Sequence, residues 1–189
     1  APLSSVAEDS ASVSACYTIT DSDSSNFIAG FVKQSFLGSP DATVSLSGKT
    51  VTINWAPPKD WNGTNKVTFR VSDDSNNLVE QDVDLVVVAV NDKPVANTQT
   101  INIAAGTGNS ITLTGLDPVE KSPITQYEIE TGAGKGPTKG TLSPLSGSSV
   151  TYNAGIGVTG TDSFNFRVYD GTDWSNYATV TINLTANLP

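Results

Sequence analysis

An eleven-residue run occurs twice in this chain. Gly63-Thr64-Asn65-Lys66-Val67-Thr68-Phe69-Arg70-Val71-Ser72-Asp73 returns as Gly160-Thr161-Asp162-Ser163-Phe164-Asn165-Phe166-Arg167-Val168-Tyr169-Asp170, with the Gly, the Thr, the second inward residue (Phe), the Arg, the Val and the last Asp identical. First and last members are both displaced by 97 residues, and the same offset sets Ile53-Asn54-Trp55 against Val150-Thr151-Tyr152. A period of that length is too long for a solenoid unit and fits whole domains in tandem. Two copies fill the 189 residues, and each is large enough to bury its own core. The boundary falls near Asn91-Asp92-Lys93-Pro94, where a strand over 81–90 ends and Pro94 fixes φ and removes a donor. This gives domains 1–93 and 94–189, with Asn187-Leu188-Pro189 a weaker echo of the junction.

Inside each copy the apolar residues alternate. Val67, Phe69 and Val71 face one way, and Lys66, Thr68 and Arg70 the other. Phe164, Phe166 and Val168 form the corresponding inner face of the second copy, followed by Val180, Ile182 and Leu184 in its last strand. Period-two alternation with one apolar face is the signature of a strand in a sandwich. The 16 Gly and 10 Pro punctuate short apolar runs, and no segment sustains a helical period. The reading is all-β, two tandem β-sandwiches.

Composition narrows the function. A net charge of −9 repels nucleic-acid phosphates and anionic membrane surfaces, and no run is long enough for a transmembrane helix. The lack of an initiating Met and of a signal sequence points to a mature chain or an excised fragment. There is no His, which removes Ser-His-Asp and Cys-His catalysis, His-containing zinc sites and the usual general base near neutral pH. Cys16, the one cysteine, reads as a small buried hydrophobe. The glycine-rich stretch 132–140 lacks a Gly-Lys-Ser/Thr ending and a following helix, so it reads as a flexible hairpin loop and not a phosphate loop.

The Gly-Thr…Phe-x-Val-x-Asp runs, the junction Val90-Asn91-Asp92-Lys93-Pro94-Val95 and the loops Thr20-Asp21-Ser22-Asp23 and Gly115-Leu116-Asp117-Pro118 resemble bacterial cadherin-like, Ig-like tandem repeats over nearly the whole chain. The resemblance implies a non-catalytic module of a secreted or cell-surface adhesin-type protein, a spacer or adhesion repeat whose partners are neighbouring repeats of the same polypeptide, a cell-surface glycan or a protein. It also implies Ca²⁺ between successive domains. A carbohydrate- or protein-binding module ancillary to a secreted polysaccharide-degrading enzyme is the competing reading.

Sandwich topology assigns the carboxylates to ends. Asp117 and Glu120 fall in the B–C region of the second copy and Asp170 and Asp173 in its F–G loop, all directed to the junction that contains Asn91 and Asp92. Glu8 in the A–B turn and Asp60 in the E–F turn of the first copy are directed to the same junction. Ca²⁺ takes about six to eight hard oxygens, which this set offers; the rival reading is that these are turn formers. Asp21, Asp23, Asp73 and Asp74 form a second set at the free end of the first copy, whereas Ala105-Gly106-Thr107-Gly108 leaves the far end of the second without a carboxylate. Trp55 reads as core and Trp61 as an end plug. Trp174 in the F–G loop reads as the aromatic open to a ligand.

Overall fold

The computed structural model describes residues 5–10, 12–34 and 42–186; the echo at Asn187-Leu188-Pro189 lies outside them. The chain divides into two compact units, Ala1–Val90 and Asn91–Pro189.

The first unit contains β1 (Val6–Ala7), β2 (Val13–Thr18), β3 (Phe27–Gln34), β4 (Thr43–Ser47), β5 (Thr50–Trp55), β6 (Gly63–Asp73) and β7 (Leu78–Val88). One sheet has the order β1-β7-β6-β3 and the other β2-β5-β4. Every pairing is antiparallel except β1 with β7, where Val6 lies opposite Val87. The sequence alternation becomes a face: Val51, Ile53 and Trp55 of β5 meet Val67 and Phe69 of β6 and Val83, Leu85 and Val87 of β7. Each such side chain, fully buried, contributes about 1.5–3 kcal/mol relative to leaving it exposed.

The second unit contains β8 (Val95–Ala96), β9 (Gln99–Ala104), β10 (Gly108–Thr112), β11 (Gly115–Leu116), β12 (Gln126–Ile129), β13 (Gly140–Leu142), β14 (Ser149–Ala154), β15 (Gly160–Tyr169) and β16 (Ala178–Thr185). Its sheets run β12-β15-β16-β9 and β10-β14-β13, with a short β11-β8 ribbon. Tyr152, Phe164, Phe166, Val168, Val180 and Ile182 are sealed in its core.

Three expectations need correction. Cys16 is exposed: in β2 the inward position belongs to buried Ala15, and strand alternation turns Cys16 outward beside Thr52. The stretch 132–140 is not a hairpin loop, because β12 and β13 belong to different sheets and it crosses between them. The offset of 97 also fails in β5 and β14. Gly48 (φ 56°) and Gly147 (φ 58°) turn the chain into β5 and β14, a left-handed geometry that suits glycine. Alignment on those turns sets Ile53 against Tyr152 and Trp55 against Ala154. The loop 56–62 is two residues longer than its counterpart 155–159 and restores the register before the repeated run. That longer loop carries Trp61, whose ring meets Trp55 edge-on at 5.6 Å.

Candidate functional site

Each unit has an acidic end built by loops that short strands hold in place. In the second unit, Asp117 follows β11 and its carboxylate accepts from the amides of Val119 (2.9 Å), Glu120 (3.0 Å) and Ser122 (3.1 Å). Asp170 follows β15 and accepts from the amides of Thr172 (2.7 Å) and Asp173 (2.8 Å). The Asn91 side-chain amide donates to Asp170 Oδ2 and Asp173 Oδ2, both at 3.2 Å. The Asp92 amide donates to Glu120 Oε2 at 3.4 Å, and carboxylate oxygens of Asp92 and Glu120 lie within 4.8 Å of one another. The structure therefore groups Asn91 with Asp170 and Asp173, and Asp92 with Glu120, at one end of one unit.

Electrostatics at this end favour a cation. Burial pushes the Asp117 carboxyl up, but the amides of Ser122, Val119 and Glu120 outweigh it and hold the group below its ordinary value. Asp170 is likewise raised by burial, and further by neighbouring Asp117, yet the amides of Asp173 and Thr172 and the Asn91 side chain bring it below the ordinary value. Among the described residues, Asp117, Glu120, Asp170 and Asp173 form no ion pair. Glu120 Oε1 is buried without a hydrogen-bond partner. All donors are hard oxygens, the set that suits Ca²⁺ and not zinc.

In the first unit, buried Glu8 follows β1 and accepts from the Val90 amide (2.5 Å) and the Asn62 side chain (3.2 Å). Asp60 lies in the 56–62 loop, where its amide donates to Asp9 Oδ1 at 3.2 Å, and the two carboxylates have oxygens within 4.8 Å. Asp9 was not singled out from the sequence. Its signal was the repeat: it aligns with Gly106, and both take positive φ, 64° and 95°. The opposite end of this unit carries Asp21, which accepts from Asp23 and Ser24 amides, and Asp73, which accepts from the Ser75 and Asn77 amides and the Asn77 side chain.

Trp174 is half-buried. Its ring packs at a tilt of 35° against Tyr169, centroids 5.0 Å apart, and the Arg167 guanidinium lies 4.6 Å from its ring centre. Glu128 holds Arg167 through Nε and an Nη nitrogen (3.1 and 2.8 Å). The ring is thus engaged by its own sheet.

Sequence reasoning also missed Asp162, which is buried at 5% exposure. It accepts from the Thr138 and Lys139 amides (both 2.8 Å) and from the Tyr152 hydroxyl (2.8 Å). The end of the glycine-rich stretch therefore clamps the protein's own carboxylate.

The family model of the bacterial Ig domain matches the chain twice, over residues 1–86 and 91–183, and the chain belongs to that family. No curated protein matches the sequence. Solved structures share the fold at low identity. Protocadherin gammaB7 EC3-6 matches at 15% identity and TM-score 0.58, covering 98% of this chain and 49% of its own. The human desmocollin-1 ectodomain matches at 11% and 0.52, covering 97% and 39%. An endo-fucoidan hydrolase of glycoside hydrolase family 107 matches at 16% identity but TM-score 0.40, and this chain spans only 28% of it. The chain thus spans less than half the length of each of these structures.

Proposed function

We propose that this domain pair is a non-catalytic spacer or adhesion module of a secreted or cell-surface protein, and that Ca²⁺ bound at its acidic ends stiffens it. The observation that carries the calcium reading is the second unit's set of Asn91, Asp92, Asp117, Glu120, Asp170 and Asp173, held by backbone amides with no cationic side chain paired to Asp117, Glu120, Asp170 or Asp173 among the described residues. Without a cation, close carboxylates repel one another; Ca²⁺ reverses that sign. Cadherin ectodomains among the structural matches support the spacer reading at the level of fold. Glu8, Asp9 and Asp60 are the carboxylates gathered at one end of the first unit.

Scanning calorimetry on chelator-treated protein tests this. A ligand that binds only the native state adds about 2.7 kcal/mol at a hundredfold excess over its dissociation constant, so the melting temperature rises with Ca²⁺. Asp117→Ala and Asp170→Ala suppress the rise, and Glu8→Ala reports on the first unit's donors. Asp84→Ala, at an exposed position of β7 beside Lys66 (3.0 Å), leaves the rise intact. An unchanged melting temperature in wild-type protein defeats the calcium reading and leaves the loops as turns. Hydrolysis of a polysaccharide or peptide, lost on changing one carboxylate, defeats the non-catalytic one.

A further inference from the structure

We propose that the outer face of the second unit's β12-β15-β16-β9 sheet binds a neutral glycan, with Tyr177 as the ring on which a sugar stacks. This gives the adhesion reading its partner and rests on that reading, though not on calcium. Tyr127 and Ile129 pack on the core, so strand alternation turns Glu128 and Glu130 outward. Arg167 and Asn165 share that face, opposite buried Phe166 and Val168. Glu128 lies across from Arg167 in register and holds its guanidinium, which lies over the Tyr177 ring, 5.1 Å from its centre. The Tyr177 hydroxyl donates to Glu128 Oε1 at 3.4 Å. Yet Tyr177 is 41% exposed. A large ring fixed on one face and at its hydroxyl, and otherwise open to water, is a surface ordered before a ligand arrives, so little further entropy is lost on binding.

The fold itself does not require this cluster. The duplicated run repeats the arginine as Arg70 of β6. Gly30 lies opposite Arg70 where Glu128 lies opposite Arg167, and Glu80 lies opposite it on the other side. The repeat sets Glu80 against Tyr177 and Asn77 against Trp174. The first unit thus keeps the arginine and neither aromatic, and the same strands form around it. The ring pair is an addition made on one copy of a shared scaffold.

Charge and hydrogen-bonding chemistry select the ligand. Two ion pairs lie on this face, Arg167 with Glu128 at 2.8 Å and Lys135 with Glu130 at 2.9 Å, so its charges balance in a chain of net charge −9. Glu130 also accepts from Asn165 Nδ2 at 2.8 Å, and Asn165 Oδ1 accepts from the Thr179 hydroxyl at 2.8 Å. Thr181 and Asn183 continue the outward row of β16 without a charge, Asn183 donating to Asn102 of β9 at 3.0 Å. A balanced strip offers no net attraction to a basic polymer, and the chain as a whole repels an acidic one. A ring beside paired amide, hydroxyl and carboxylate groups matches the apolar face and the neighbouring hydroxyls of a sugar. The glycan runs from Tyr177 along β16 over Thr179 and Thr181.

The test titrates hexasaccharides of cellulose, laminarin, mannan, xylan and dextran into the full chain labelled with nitrogen-15. A proline-rich peptide, the rival occupant of an aromatic surface, is titrated in parallel. Saturable shifts at Glu128, Asn165, Tyr177 and Thr179 with at least one of these glycans, and none with the peptide, are expected. Tyr177→Ala weakens glycan binding by about tenfold or more, whereas Tyr177→Phe, which keeps the ring, stays within about threefold of wild type. Thr181→Lys, at an outward position of β16, also weakens binding by about tenfold and serves if Tyr177→Ala fails to fold. No saturation by any of the glycans at millimolar concentration, binding of the peptide in their place, undiminished affinity in Tyr177→Ala and Thr181→Lys, or equal losses in Tyr177→Ala and Tyr177→Phe overturns the proposal. The melting temperature with and without Ca²⁺ is read on the same samples, so a glycan failure beside an intact calcium response overturns this proposal alone.

Discussion

At the scale of single residues, Asp162 concentrates the most physics in the fewest atoms. Burial raises its carboxyl, and the Thr138 and Lys139 amides with the Tyr152 hydroxyl lower it further than burial raises it; Tyr152 is correspondingly pushed up, first by burial and then by this bond. Asp162→Ala leaves those donors buried and unsatisfied, so chemical denaturation should show a loss of about 3 kcal/mol. Because the folded carboxyl titrates below the unfolded one, its contribution is full above about pH 4 and is lost as pH falls through the folded value. Melting curves between pH 5 and pH 2 should therefore fall more steeply for wild type than for Asp162→Asn; parallel curves contradict the assignment. Cys16 lies outside the core, so a thiol reagent should modify it in the folded protein without unfolding. Neither residue's role was legible in the sequence. Asp162 shares the inward phase of Phe164 and Phe166, as its counterpart Asn65 does that of Val67, but its donors come from a loop 23 and 24 residues upstream, which no local pattern shows. The apolar neighbours of Cys16 suggested burial, while the phase of β2 decides it.

At the scale of elements, strands were legible and loop lengths were not. Alternation has a period of two, so Val67, Phe69 and Val71 declare their face locally, and the structure gives them the inward side. A loop's length is set by what it must span and cap, which no local pattern encodes. Hence the uniform offset misplaced Trp55 against Tyr152, and the two extra residues that carry Trp61 emerged only from the turn glycines. Two glycine substitutions separate close approach from mere flexibility. Gly115→Ala drives a methyl into Val168 and the Val95 carbonyl and should cost about 1–3 kcal/mol in denaturant midpoint experiments. Gly30→Ala, in mid-strand with nothing within 4 Å of the added carbon, should be neutral or stabilise by up to about 1 kcal/mol. A destabilising Gly30→Ala would mean that the β3 backbone needs glycine for a reason the present geometry lacks.

At the scale of the whole molecule, the duplicated run told most of the story: two all-β units of one family, with acidic loops at repeated positions. The ligand sets were only half legible, since spacing places Asp117 and Asp170 on adjacent loops but cannot show that amides keep both ionised. Their lowered pKa values give calcium a pH window: the thermal response should persist down through about pH 5 and fade only as pH falls to and below the ordinary carboxylate value of about 4. The central claim is that calcium turns two domains into a stiff tandem, and nitrogen-15 relaxation on the 189-residue chain measures it directly. With Ca²⁺ the two domains should report one common rotational diffusion tensor, and after chelation two shorter, separate correlation times. Identical relaxation in both states, with or without Asp117→Ala and Asp170→Ala, would contradict the account.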